Sequence, residues 1–215
     1  MTALTEADGP SPEGRPAYRP IIFHGDRPDD RARLDELLKR HPQMQVHDTL
    51  HAQLRELVRC QEPARTFTPE ALDQAAKDHL QGVDSEQYGV WVFYPWSDRL
   101  VHLLGEQEFA LVRTDRNRNK ITREEQAVLA TKRVGVVGLS VGQSAALTLA
   151  LERGFGEVRL ADFDDLELSN LNRIRSGVHE MGLPKAINTA REIAELDPFL
   201  RVTLFPEGLT RANME

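Results

Sequence analysis

The chain has 215 residues, of which 40% are hydrophobic, and a formal net charge of −7. The acidic balance argues against a general nucleic-acid binder, because phosphate binding relies on clustered lysine and arginine. No stretch approaches the roughly 20 apolar residues that span a bilayer, and the N-terminus lacks the pattern of a signal peptide. The single cysteine excludes an internal disulfide. These features predict a globular, cytoplasmic protein whose partners are neither nucleic acids nor membranes.

The first half of the chain predicts an arm followed by a small α/β domain. Residues 1–19 are rich in proline, glycine and serine and lack hydrophobic periodicity, so we expect a disordered or loosely draped arm. Residues 20–110 alternate short strand-like and helix-like segments. The predicted strand segments are 21–24, 44–47, 88–96 and 99–104, and the predicted helices are 29–40, 49–59 and 69–80. Asp48 is expected to cap the second helix and Thr68 the third.

Three histidines in this domain raise the question of a metal site. His47 and His51 are four residues apart, a spacing at which two histidines on one helix face can bind zinc. However, His47 precedes the predicted helix cap and so lies outside the helix. His41 is nearby, but no glutamate, cysteine or other third ligand lies at a spacing that would complete a zinc site. We therefore favour a solvated polar face and assign no metal site.

Residues 111–215 predict a nucleotide-binding domain. The strand Val134–Val137 is a continuous apolar run, as expected of a central parallel strand that helices cover on both faces. A turn containing Gly138, Ser140 and Gly142 follows it. A helix is predicted from Gln143 to Glu152, and its positive N-terminal end would face an anionic group at this turn.

A second predicted strand, 158–160, ends at Asp162 and Asp164. Asp162 follows Gly138 by 24 residues, close to the spacing at which a carboxylate accepts hydrogen bonds from a ribose. Upstream, a basic cluster precedes a helix that Thr122 can cap, with Glu125 at the capping-box position.

The same turn also matches the nucleophile elbow G-x-S-x-G, with Ser140 as the nucleophile. The acid and histidine of such a hydrolase would be Asp164 and His179, which are only 15 residues apart in one βα segment. The partners of an elbow serine normally follow later strands, so we favour the nucleotide-binding turn. NAD-linked oxidoreduction on the same fold remains a further alternative.

The segment from Asp162 to Arg173 resembles the D-x-D-x-x-x-x-S-N-L-x-R signature of the adenylating superfamily. This superfamily contains the ThiF-type thiamin-biosynthesis and molybdopterin-synthase adenylyltransferases and the ubiquitin-activating enzymes. The segment Arg113–Asn117 is similar to the R-Y-x-R-Q motif of the family, and Lys185 matches its phosphate-contacting lysine. The resemblance covers about half of the chain.

The resemblance implies that the protein uses ATP and Mg²⁺ to activate a carboxylate as an acyl-adenylate. The implied carboxylate is the C-terminal glycine of a ubiquitin-like sulfur carrier or a small carboxylate. The implied nucleotide-binding residues are Gly138, Ser140, Gly142, Asp162, Asp164 and Asn170, and the implied catalytic residues are Arg116, Arg173 and Lys185. In this family the arginine at the position of Arg116 reaches the site from the partner subunit, which implies a homodimer.

The last part of the sequence predicts a helix at 183–196, a strand at 201–205 and a further helix capped by Thr210. The expected fold class is therefore α/β, with about three strands of a Rossmann-like doubly wound parallel sheet after the small α/β unit. Such sheets usually have more strands, so we expect a fragment whose Mg²⁺ ligand lies downstream. A non-catalytic nucleotide-binding module of a larger fusion protein is the alternative. The N-terminal unit is also similar to large bacterial fusions in which an adenylating domain precedes a nitroreductase-like domain, and this similarity implies such a domain downstream.

Overall fold

The structure is a computed structural model that describes residues 16–214. These residues form two compact units. The first unit is Pro20–Arg116, and the second comprises residues 16–19 together with residues 117–214. Each unit has its own sheet. The predicted domains 1–19, 20–110 and 111–215 stay predictions, and most of the expected arm lies outside the described residues.

The first unit combines a four-stranded sheet with helices. Its elements are β1 (Ile21–His24), α1 (Pro28–Arg40), β2 (Gln45–Asp48), α2 (Leu50–Gln61), α3 (Pro69–His79), β3 (Val90–Tyr94), β4 (Arg99–Leu103) and α4 (Glu106–Thr114). The strand order is β1-β3-β4-β2, in which only β2 and β4 pair in parallel. The predicted strands and helices of this unit are all present. The sequence interpretation missed α4.

Of the two helix caps predicted in this unit, the one at Thr68 is confirmed and the one at Asp48 is wrong by one residue. The Thr68 hydroxyl accepts a hydrogen bond from the backbone N–H of Ala71 at 3.2 Å, as predicted for the start of α3. Thr49 rather than Asp48 occupies the N-cap position of α2. Asp48 still accepts from the backbone N–H of Leu50 at 3.1 Å, so it satisfies one of the free donors at this helix end.

The histidines of the metal hypothesis have separate carboxylate neighbours. His41 Nδ1 lies 2.8 Å from Asp98 Oδ1, whereas His51 Nε2 lies 3.6 Å from Asp73 Oδ1. His47 is exposed on β2. Within residues 16–214, no three histidine, cysteine, aspartate or glutamate side chains are grouped so that they could hold a metal ion. None of the helices in this range is both long and apolar enough to cross a membrane.

The second unit is built on a parallel three-stranded sheet. Its elements are α5 (Arg123–Leu129), β5 (Arg133–Val137), α6 (Leu139–Leu151), β6 (Glu157–Ala161), α7 (Lys185–Leu196) and β7 (Arg201–Phe205). The strand order is β5-β6-β7, and both pairs are parallel. The Thr122–Glu125 capping box at the start of α5 is present as predicted. The predicted α/β class with a parallel sheet is confirmed.

Both long helices of this unit pack against the same face of the sheet. Val134 and Val136 of β5 contact the buried core that includes Leu139, Leu160 and Ile193. The side chains that alternate with them on β5, such as Val137, are exposed. The prediction of a central strand covered on both faces is therefore wrong for the described residues. In the order β5-β6-β7, β5 is an edge strand, and α6 and α7 lie together on one side.

Two end segments of the described chain also differ from prediction. Tyr18 packs against the core of the second unit, and the carbonyl of Ala17 accepts a hydrogen bond from Arg191 Nε at 2.8 Å. Residues 16–19 are thus ordered rather than part of a disordered arm. Thr210 does not cap a helix within the described chain. Its backbone N–H instead donates to Asn213 Oδ1 at 2.7 Å, which closes a turn.

Candidate functional site

The turn after β5 is a single glycine. Gly138 has a φ of +81°, a left-handed conformation that favours glycine, and its N–H donates to Ala161 O at 2.8 Å. This conformation lets α6 begin at Leu139, four residues earlier than predicted. Ser140 and Gly142 consequently lie in the first turn of the helix rather than in a loop. An atom placed at the β-carbon position of Gly138 meets nothing within 4 Å, so the space beside the turn is open.

Gly142 has a packing role in the structure. A β-carbon on Gly142 would lie 2.7 Å from Val136 Cγ1, which is closer than carbon atoms can approach. Glycine at this position therefore lets α6 pack tightly against β5. Its predicted contact with a nucleotide stays a prediction.

Asp162 joins the end of β6 to the beginning of α6. Its Oδ2 accepts a hydrogen bond from the N–H of Leu139 at 2.6 Å, and its Oδ1 accepts from the N–H of Asp164 at 2.8 Å. Gly138 has no side chain that could cap α6, so this carboxylate, distant in sequence, takes the place of a cap. Asp162 is only 8% exposed. A ribose hydroxyl at this position would donate to the remaining lone pairs of the carboxylate oxygens.

Lys185 lies buried at the first position of α7 and is 6% exposed. Its Nζ is 2.8 Å from Asp164 Oδ2, and its backbone N–H donates to Asp164 O at 3.0 Å. The Asp164 side chain is itself 54% exposed. A positive charge at a helix N-terminus is unfavourable for the helix dipole, and the Asp164 carboxylate compensates for it. The pair therefore keeps a buried ammonium group beside the end of β6.

Arg173 reaches the first turn of α6. Its Nε donates to Ser140 Oγ at 3.0 Å, and its Nη1 donates to Asn172 Oδ1 at 2.9 Å. The preceding turn is shaped by Asn170, which is 6% exposed and whose Oδ1 accepts from the N–H of Glu167 at 3.1 Å. Arg173 itself is exposed. Two N–H groups of the guanidinium are thus bound within the protein, and the exposed remainder of the guanidinium is open to a ligand.

The predicted residues form two connected groups around the start of α6. Arg173 contacts Ser140, while Asp162 contacts the neighbouring Leu139 and leads through Asp164 to Lys185. Arg116 does not belong to these groups. It is exposed in the 3-10 turn Asp115–Asn119 and is assigned to the first unit. Its predicted role as an arginine finger is not tested by these contacts.

Residues 114–215 match the model of the ThiF family. These residues form a ThiF family domain. The predicted resemblance to the adenylating superfamily is confirmed. The chain is 54% identical over 125 residues to an uncharacterized protein of Mycobacterium tuberculosis, an alignment that covers 58% of this chain and 18% of that protein. It is 33% identical over 81 residues to a sulfur carrier protein adenylyltransferase of Thermus thermophilus, which covers 37% of this chain and 29% of that protein.

Among solved structures, the chain is similar to the tRNA N6-threonylcarbamoyladenosine dehydratase TcdA of E. coli in complex with ATP. The identity is 30%, the alignment covers 51% of this chain and 44% of that one, and the TM-score is 0.46. The chain spans less than a third of the length of either curated relative described above.

The ThiF domain also contains a polar cluster that the sequence interpretation missed. Gln143 is a polar residue on the otherwise apolar buried face of α6, and it is only 1% exposed. Its Nε2 lies 3.3 Å from Glu192 Oε1, which also accepts from Asn188 Nδ2 at 3.0 Å. Burial raises the pKa of Glu192 to about 7, and the hydrogen bond from Asn188 opposes that rise. A glutamine at an apolar helical position was the one signal in the sequence for this cluster.

The hydrolase alternative has no assembled triad in the ThiF domain. Ser140 Oγ accepts from Arg173, and Asp164 pairs with Lys185. The side chain of His179 is 79% exposed, and its Nε2 lies 3.5 Å from Glu180 Oε1. Each candidate member therefore has a different neighbour. A triad requires the base to contact both the serine and the acid.

Proposed function

We propose that this chain is part of an ATP-dependent adenylyltransferase that activates a carboxylate as an acyl-adenylate. The observation that carries the proposal is the position of two cations at the start of α6 and α7. Arg173 donates a hydrogen bond to Ser140 in the first turn of α6, and Lys185 is the first residue of α7, beside the end of β6. The ends of parallel strands and the N-termini of the following helices are the usual site for phosphate groups in such sheets.

The reaction places a severe electrostatic demand on the site. A carboxylate oxygen attacks the α-phosphorus of ATP, a new P–O bond forms, and the bond to the bridging oxygen breaks. Pyrophosphate leaves with the electron pair of that bond. Because two anions must approach and a third is released, catalysis depends mainly on positioning and on fixed positive charge.

The described residues can supply this environment. Apart from the N–H of Leu139, which donates to Asp162, the backbone N–H groups in the first turn of α6 present hydrogen-bond donors at the positive end of the helix dipole. Arg173 adds a guanidinium that can bind two phosphate oxygens at once, whereas Lys185 adds a compact charge. In this proposal Asp162 accepts hydrogen bonds from the ribose, and Gly138 leaves room for the nucleotide. Asn170 maintains the turn that presents Arg173.

The proposed substrate is the C-terminal carboxylate of a ubiquitin-like sulfur carrier, and a small carboxylate is the second candidate. The name of the Thermus thermophilus relative supports the carrier. A homodimer in which Arg116 reaches the partner's site belongs to the same proposal. In this proposal Mg²⁺ would screen the negative charge of the phosphates.

ATP–pyrophosphate exchange by the protein in its full natural length tests the proposal. Exchange should require a carboxylate or carrier and should fall by about 100-fold in Arg173→Ala, a loss typical of a group that stabilises transition-state charge. Arg201→Ala is the matched control, because Arg201 is an exposed arginine at the opposite end of the sheet strands. ATP binding without exchange across the tested carboxylates would favour the non-catalytic module instead.

A further inference from the structure

Gln143 binds the backbone of Arg175 through both functional groups of its amide. Its Oε1 accepts from the N–H of Arg175 at 2.9 Å, and its Nε2 donates to the carbonyl of the same residue at 3.0 Å. Such a two-point contact fixes the position and the orientation of one peptide segment. The side chain is 1% exposed, so water does not compete for these bonds.

The contact lies on the same helix face as the Ser140–Arg173 bond. Ser140 and Gln143 are three residues apart on α6, which places their side chains on one face about one turn apart. Ser140 accepts from the side chain of Arg173, and Gln143 binds the backbone two residues later. Residues 173–175 are therefore attached to α6 at two successive points.

Further polar groups orient the glutamine itself. Glu192 Oε1 lies 3.3 Å from Gln143 Nε2 and accepts from Asn188 Nδ2, while Asn188 Oδ1 accepts from Ser176 Oγ at 3.0 Å. This series of contacts joins α6, α7 and the segment after Arg173. Buried polar groups of this kind are costly unless each has a partner, so the amide of Gln143 has one favoured orientation.

We propose that Gln143 is a positioning residue for Arg173, which it holds over the first turn of α6 by binding the backbone of Arg175. The inference rests on the proposed adenylation, because it assumes that Arg173 addresses the phosphates of ATP. A displacement of about 1 Å at a group that stabilises the transition state can cost about 100-fold in rate. Gln143 thus contributes to catalysis without contacting the substrate.

The test is a double-mutant cycle between Gln143→Met and Arg173→Ala in ATP–pyrophosphate exchange. Methionine keeps the length of the side chain and removes both hydrogen bonds. Gln143→Met alone should lower kcat by about 10- to 100-fold. In the Arg173→Ala background the same change should cost less than about twofold, because the positioned group is already absent. Full additivity would overturn the proposal, since a general loss of structure does not depend on Arg173.

Two further measurements distinguish this inference from failure of the proposed function. Hydrogen exchange at the Arg175 amide should be slow in the wild-type chain and faster in Gln143→Met, whether or not the protein adenylates anything. Gln143→Glu should show low ATP–pyrophosphate exchange at high pH and should regain it as the pH falls. The reason is that a protonated carboxyl can again donate to the Arg175 carbonyl. Active wild-type protein with unchanged Gln143→Met kinetics would refute the inference alone. Wild-type protein without exchange activity, despite a protected Arg175 amide, would refute the adenylation and with it the positioning role.

Gln126→Met is the matched control. Gln126 is a partly buried glutamine on α5 whose Nε2 donates to the carbonyl of Arg153 at 2.9 Å and whose Oε1 accepts from Asn117 Nδ2 at 2.9 Å. Like Gln143, it donates to a backbone carbonyl and accepts from an N–H group within the same unit, but its hydrogen-bond partners lie outside residues 173–175. Its substitution should leave the Arg175 amide protected and the exchange kinetics within about twofold of wild type. A loss equal to that of Gln143→Met would contradict the proposal.

Discussion

Arg173 Nε donates a hydrogen bond to Ser140 Oγ at 3.0 Å across 33 positions of the sequence. The bond places a guanidinium beside the N-terminal turn of α6, so two sources of positive potential meet at one point. It also defines the chemistry of Ser140. A hydroxyl oxygen that accepts from a permanently charged donor, with no base bound to it, is a ligand rather than an activated nucleophile.

Ser140→Ala should accordingly reduce ATP–pyrophosphate exchange by about tenfold, less than Arg173→Ala does, because this exposed hydrogen bond to a charged group should contribute about 1.5 kcal/mol, the lower end of the usual range. Arg173 would retain its charge and its bond to Asn172. The wild-type chain should also fail to react with a fluorophosphonate probe, as measured by mass spectrometry. Labelling of the wild type that Ser140→Ala abolishes would restore the hydrolase alternative.

Asp162→Asn tests whether this carboxylate caps α6 in place of a local residue. The change replaces one acceptor oxygen by an NH₂ group that faces a backbone N–H, either of Leu139 or of Asp164. We expect the free energy of unfolding in urea to fall by about 1–3 kcal/mol, the cost of an unsatisfied buried donor. Asp165→Asn is the control, because Asp165 is exposed on the adjacent segment. Equal stability of the two variants would show that the cap contributes nothing.

Local patterns in the sequence were sufficient to predict most elements of the fold. The apolar run of β5 and the capping box Thr122–Glu125 depend on neighbouring residues, and both are present. The start of α6 depends instead on Asp162, which lies 23 positions away, so local helix signals placed it four residues too late. One face of β5 is exposed, and this depends on where β5 lies in the sheet and on which side the helices pack. The sequence of the strand alone does not determine either of these.

The candidate site shows the same division. The motif from Asp162 to Arg173 predicted a set of candidate residues. It did not show that Asp164 pairs with Lys185 or that Gln143 binds Arg175, because both contacts follow from the packing of α7 and α6.

Substitutions of the two members of the Lys185–Asp164 pair should differ in their effects, one acting mainly on activity and the other on stability. Lys185→Met should abolish most exchange activity and leave stability close to wild type, because a similarly long apolar side chain can replace a buried cation. Asp164→Asn removes the partner and leaves the buried ammonium uncompensated. It should destabilise the chain by about 1–3 kcal/mol, less than for a fully buried pair because the Asp164 side chain is half-exposed. Lys132→Met, at an exposed lysine, is the control, and urea unfolding beside exchange kinetics provides the measurement. A Lys185→Met variant less stable than Asp164→Asn would contradict this interpretation.

Glu192 predicts a pH dependence of stability. Burial raises the pKa of this carboxyl from its ordinary value near 4.5 to about 7, with Glu195 and Glu180 adding to the rise and Asn188 and Arg175 opposing it. Between these pH values the folded chain binds a proton that the unfolded chain has lost, so this group makes stability fall as the pH rises from about 4.5 to 7. Above pH 7 its effect is constant.

Glu192→Gln should remove this dependence, since the amide does not titrate and its oxygen can still accept from Asn188. Thermal unfolding followed by circular dichroism should give a higher Tm for the variant than for wild type at pH 8 and similar values near pH 4.5. Glu207→Gln, at an exposed glutamate, should keep the wild-type pH profile. A Glu192→Gln curve parallel to that of the wild type would mean that Glu192 ionises normally in the folded chain.

Gly142 and Gly135 provide a matched pair for the packing of α6 on β5. A β-carbon at Gly142 would lie 2.7 Å from Val136 Cγ1, whereas one at Gly135 would meet no atom within 4 Å. Gly142→Ala should therefore destabilise the chain by about 1–3 kcal/mol through overpacking, because the β-branched valine is stiff and cannot rotate away easily. Gly135→Ala should be neutral or slightly stabilising, as it reduces the conformational freedom of the unfolded chain.

A double variant tests the contact directly. In Gly142→Ala combined with Val136→Ala, the clash is relieved, and the double variant should be more stable than the sum of the two single changes predicts. Strict additivity in urea unfolding would show that the two side chains do not meet, and the first turn of α6 would then lie further from β5 than the structure places it.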